Sequence, residues 1–76
     1  MRRARVQVRI ERLAVGNPGD VQPVGDGVSE LRIHYSPGYR VYFKSIRREV
    51  VILLAGRDKR TQSTDIRTAL RLARNL

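Results

Sequence analysis

The side chains able to do chemistry gather in two stretches, LRIHYSPGYRVYFK over residues 31–44 and GRDKR over residues 56–60. In the first, Arg32, His34, Arg40, Tyr42 and Lys44 fall on one face of two alternating runs, and in the second Arg57, Lys59 and Arg60 precede a helical pattern. Together they form a cationic floor with a phosphate-binding rim, because guanidinium forks match phosphate oxygens and a helix start adds partial positive charge. Cleaving RNA needs a base for the 2′-hydroxyl, an acid for the 5′ leaving oxygen and positive charge on the phosphoryl oxygens. His34, the single histidine, alone has an ordinary pKa suited to that proton transfer. Neighbouring Arg32 and Arg40 disfavour its imidazolium and suit it to the role of base. Tyr42 among the charges could stack on an unpaired base.

The catalytic candidates are therefore His34, Arg40, Tyr42, Lys59 and Arg60. The nucleic-acid-binding candidates are Arg32, Arg40, Lys44, Arg57, Lys59 and Arg60. The plainer reading is a solvated sheet face whose long side chains guard against aggregation, with Glu30 neutralising Lys44. Ser36 and Ser45 lie in turns and suggest no serine triad. Asp20 and Asp26 lack the further carboxylates of a calcium loop. One histidine and no cysteine argue against a protein-only zinc site, so neither metal nor cofactor is expected.

The elements that position these residues follow from periodicity. Leu31, Ile33 and Tyr35 share a strand face opposite Glu30, Arg32 and His34, while Tyr39, Val41 and Phe43 oppose Arg40, Tyr42 and Lys44. A three-residue loop of Ser36, Pro37 and Gly38, pairing Tyr35 with Tyr39, keeps both apolar sets on one side. The run EVVILLA is apolar on both faces, as expected of a central strand, and a turn over Ser45 to Arg48 would pair Lys44 with Glu49. Ile66, Ala69, Leu70 and Ala73 follow helical spacing to the chain's end. Residues 16–27 hold four Gly and two Pro, which reads as a long surface connection.

Residues 4–15 admit two readings. Ala4, Val6, Val8 and Ile10 alternate like a strand, while Val6, Ile10, Leu13 and Ala14 recur like a helix, and Gly16 with Pro18 would end a helix there. The expected fold is α+β: a three-stranded antiparallel meander packed against an N-terminal and a C-terminal helix, in one domain spanning 1–76. At 76 residues such a domain depends on every element for its core.

Composition bounds the partners. Sixteen Lys and Arg against seven Asp and Glu give a net charge of +9, with fourteen Arg to two Lys. Such a balance points to a polyanion, and the Arg bias to phosphate. The chain holds neither an apolar run of the roughly 20 residues a membrane helix needs nor the h-region of a signal peptide. No membrane partner is expected, and the expected compartment is the cytoplasm.

The unbroken GNPGDVQPVGDGVSELRIHYSPGYRVYF, with DKRTQSTDIRTA, resembles HigB-like toxins of the RelE/ParE superfamily, and the likeness runs from about Ala4 to the last turn. The resemblance implies the toxin of a type II toxin–antitoxin pair, an antitoxin of the HigA helix-turn-helix kind, and a helix over the opening segment. Most HigB-like and RelE-like members cut mRNA in the translating ribosome, so ribosome and mRNA become expected partners. ParE-like relatives instead inhibit DNA gyrase. The RelE pattern of phosphate-stabilising basic residues maps to Arg40 through Tyr42 and to Lys59 with Arg60. Two features depart from the family: Ile66 stands where RelE-type enzymes place a tyrosine, and the C-terminal histidine of some HigB toxins is missing.

Members also begin with a strand and a helix ahead of the segment that opens this chain, which therefore reads as an N-terminally shortened RelE-like fold. A homodimer through Val6, Val8, Ile10 and Leu13 would cover the surface this leaves open. The leading expectation is a metal-independent, ribosome-dependent mRNA endoribonuclease. A non-enzymatic gyrase inhibitor of the ParE type, or an inactive remnant that only binds antitoxin, are its rivals.

Overall fold

The computed structural model describes Arg12, Gly16 and residues 18–33 and 38–76. Apart from Arg12, which is helical, the helix expected over 4–15 lies outside the described residues, as do the contact residues Val6, Val8, Ile10 and Leu13, and His34, Tyr35, Ser36 and Pro37. The architecture is α+β: strands β1 (Val21–Gly25), β2 (Val28–Arg32), β3 (Arg40–Ile46) and β4 (Glu49–Gly56) precede helix α1 (Gln62–Arg74). The strands form one antiparallel sheet in the order β1-β2-β3-β4. No described helix is long and apolar enough to cross a membrane.

The sheet thus has four strands where three were expected, because part of the Gly- and Pro-rich connection is itself a strand. Asp26 and Gly27 turn the chain with φ of 50° and 76°, the left-handed pair that a tight two-residue hairpin requires. Pro23 is tolerated because β1 lies at the sheet edge, where a missing N–H can face away from the ladder. A register shift between Pro23 and Gly25 completes the strand.

Both expected hairpin registers are displaced by two residues. Leu31 faces Val41 and Arg32 faces Arg40, and the Ile33 N–H donates to the Tyr39 carbonyl at 2.9 Å. An even shift leaves every side chain on its expected face. In the second hairpin Arg47, at φ 58°, makes a two-residue turn with Arg48, so Glu49 faces Ile46 and Lys44 faces Val51.

Leu53 then interrupts the ladder as a bulge: Ile52 faces Phe43, whereas Leu54 faces Tyr42. The strand changes face at this point, which explains why EVVILLA is apolar on both sides. Among the described strands β4 lies at the edge of the sheet.

Two apolar clusters result. Leu31, Ile33, Phe43 and Val50 are buried on one face, with Val21, Tyr39 and Val41 packed beside them. On the other, Val28, Tyr42, Ala69 and Ala73 are buried against Val24, Leu53, Leu54, Ile66 and Leu70. Complete burial of Val28 and Leu31 contributes about 1.5–3 kcal/mol apiece. The helix thus packs on the face expected to be an open cationic floor. Three things make that face fit for it: the Tyr42 ring, the Leu54 brought over by the bulge, and the small Ala69 and Ala73, which let the helix approach closely.

Candidate nucleic-acid interface

Beneath the start of α1 lies a buried polar cluster. Glu30, Arg40 and Tyr42 are 6%, 7% and 0% exposed, which removes Arg40 and Tyr42 from the surface where a substrate could meet them. Arg40 Nε lies 3.6 Å from Glu30 Oε1, and its Nη1 donates to the Gly38 carbonyl at 3.0 Å. Gln62, in the first turn of α1, donates to Glu30 Oε2 at 3.1 Å. The Tyr42 hydroxyl faces Glu30 without reaching hydrogen-bond geometry and is buried unsatisfied. Burial, and then the Glu30 carboxylate, push the phenol far above its ordinary pKa. Tyr42 therefore serves as packing for α1 and not as a stacking platform for a base.

The exposed end of this cluster is where two loops meet. Gly38, at φ +81°, is so close to the β4–α1 loop that a Cβ there would lie 3.1 Å from the Lys59 nitrogen and 3.2 Å from the Arg57 oxygen. Only glycine suits both the left-handed backbone and the contact. Arg40, by holding the Gly38 carbonyl, fixes the β2–β3 loop against the segment that presents Arg57 and Lys59. Both of these side chains are exposed.

Asp58 organises the rest of that segment. Its carboxylate accepts from the Arg60 backbone N–H at 2.9 Å and from Arg60 Nε and Nη2 at 3.0 and 2.7 Å. The Thr61 hydroxyl lies 2.9 Å from the Asp58 carbonyl oxygen and 2.8 Å from an Asp65 carboxylate oxygen, so its single proton is shared between these two acceptors. Hydrogen bonds from Arg60 hold the Asp58 carboxyl below its ordinary pKa. Arg60 is therefore committed to Asp58, while Arg57 and Lys59 have no ion pair among the described residues.

A protein of Haemophilus influenzae (strain ATCC 51907 / DSM 11121 / KW20 / Rd), described as uncharacterized, is 50% identical over 74 residues, which are 97% of this chain and 75% of that protein. The chain belongs to that protein's family. No family model and no solved structure matches it.

In this member of the Haemophilus protein's family the candidate residues do not converge as one floor. Arg57, Lys59 and Arg60 stay together. Arg32 turns to Asp20 at 3.7 Å, and Lys44 faces Val28, not Glu30, its stem lying against Gly27. Among the described residues no three His, Cys, Asp or Glu side chains come together as a metal site. What the described arrangement can do is bind an anion at the loop junction. Gly38 has the left-handed backbone expected of its place in a turn; what sequence reasoning missed is its contact with the Arg57–Lys59 segment, and the role of Asp58. The Asp58 link to Arg60, two positions on, was available as local spacing, whereas the Gly38 contact is tertiary and left no local signal.

Proposed function

We propose that this protein is the toxin of a type II toxin–antitoxin pair, a HigB-like member of the RelE/ParE superfamily that engages ribosome-bound mRNA, with Arg57 and Lys59 holding the phosphate. The observation that carries the reading is the exposed Arg57 and Lys59 pair, clamped at the junction of two loops and free of acidic partners among the described residues. The antiparallel sheet with its C-terminal helix supports a RelE-like fold, and the sequence resemblance supports the class. In this reading His34 is the base, and Gly38, four residues on, packs against the segment that carries Arg57 and Lys59. Arg40 positions the loop and does not meet the substrate. A HigA-like antitoxin is the expected neutralising partner.

The burial of Tyr42 and Arg40 favours a second reading, a ParE-like protein that inhibits gyrase without catalysis. Purified protein added to a translation reaction and to a gyrase supercoiling reaction separates the two. The first reading expects arrest of translation with supercoiling intact, and inhibition of supercoiling alone would replace it with the second.

A further inference from the structure

The outer side of α1 carries cations that the loop junction does not use. Arg67, Arg71 and Arg74 stand at i, i+4 and i+7 of one helix, so they share a single stripe, on the side away from buried Ala69 and Ala73. Arg67 and Arg71 are exposed and have no ion pair among the described residues. Arg74, with a side chain 74% exposed, reaches Asp26 only at 3.9 Å, a surface contact of little strength. Exposed Ser63 and Thr64 extend the stripe toward the start of the helix. The single acid of α1, Asp65, is half-buried and occupied by Thr61.

The chemistry of the stripe selects its partner. Interface hot spots are Trp, Tyr and Arg seated together in desolvated pockets, and this stripe offers solvent-exposed arginines and hydroxyls with no Trp or Tyr beside them. It also lacks an aromatic side chain on which an unpaired base could stack. What remains suits a phosphodiester backbone held without base contacts. The arginines span roughly 10 Å of helix axis, a length over which one strand of a duplex presents about three phosphates.

We propose that the outer face of α1 is a second nucleic-acid surface, which grips the backbone of base-paired RNA without reading its sequence. The choice of RNA over DNA rests on the function proposed above; the choice of a paired backbone rests on the stripe itself.

The test compares the wild type with Arg67→Gln/Arg71→Gln, two exposed helix positions where glutamine is a good helix former, and with Arg47→Gln/Arg48→Gln, which removes the same charge at the β3–β4 turn. Each is titrated with a duplex RNA, a single-stranded RNA and a poly-glutamate peptide over a range of salt. The stripe variant should bind duplex RNA about tenfold more weakly, with a log–log salt slope lower by about 1.8, while the turn variant stays near wild type. Equal loss in both variants would reduce the effect to net charge and overturn the proposal. Single-stranded binding by the wild type, with no loss of duplex binding in the stripe variant, overturns this inference and leaves the proposed function standing. Binding of poly-glutamate in preference to RNA would make the stripe a protein contact. Failure of the wild type to bind either RNA would overturn this inference, while the translation reaction decides the proposed function.

Discussion

Glu30 and Arg40 meet diagonally across the β2–β3 ladder, 3.6 Å apart, with side chains 7% and 8% exposed under the first turn of α1. A buried charge whose partner is removed is costly, whereas replacing both charges together is much less so. Arg40→Ala should therefore lower stability by about 3 kcal/mol, and Glu30→Gln/Arg40→Gln should recover most of that loss. Urea midpoints at unchanged m-value measure both. Equal stability of Arg40→Ala and wild type would mean that the pair contributes nothing to holding α1.

Tyr42 gives the alkaline limit of the fold. Its folded pKa is raised, first by burial and then by Glu30, so the stabilisation of its neutral form is fully present below the ordinary phenol value. It is lost as pH rises above about 10. Tyr42 should form tyrosinate only as the chain unfolds, seen as a lag in its ultraviolet absorbance until the circular dichroism signal is lost with it. Tyr42→Phe should abolish the lag at little cost in stability, because the hydroxyl it removes is buried without a partner.

The helix and the composition of the strand faces were legible in the sequence because each depends on short-range periodicity. Ile66, Ala69, Leu70 and Ala73 do form the packed side of α1, and Leu31, Ile33, Val41 and Phe43 do share one face. Strand β1 was hidden by Pro23 and its glycines, although Asp26-Gly27 between VQPV and VSELR is a strong hairpin signal. Which face α1 would cover was not legible. Val28 and Tyr42 make the polar face half apolar, and the bulge at Leu53 that adds Leu54 to it has no local sequence mark. For the same reason the exposure of Arg57 and Lys59 could be read from a polar loop, whereas the burial of Arg40 depended on that choice of face.

Gly38 is the residue on which the junction turns. With φ at +81° and backbone atoms of Arg57 and Lys59 within 3.2 Å of any added Cβ, Gly38→Ala should destabilise by about 1–3 kcal/mol. RNA affinity should fall with it, because the loops separate. The melting temperature and RNA binding of the same sample check both, and an unchanged melting temperature would refute the close contact.

The proposed role of Arg57 and Lys59 is to hold the phosphate of ribosome-bound mRNA. It is tested most directly by mapping new mRNA 5′ ends in a translation reaction with wild type and with Arg57→Ala/Lys59→Ala. Loss of a charge-assisted phosphate contact weakens transition-state stabilisation by about 2.7–4 kcal/mol, so the variant should cut at least 100-fold more slowly while keeping its fold. New 5′ ends with wild type that nearly vanish with the variant are the expected result. An absence of new ends with wild type, or equal cutting by the variant, would contradict the account.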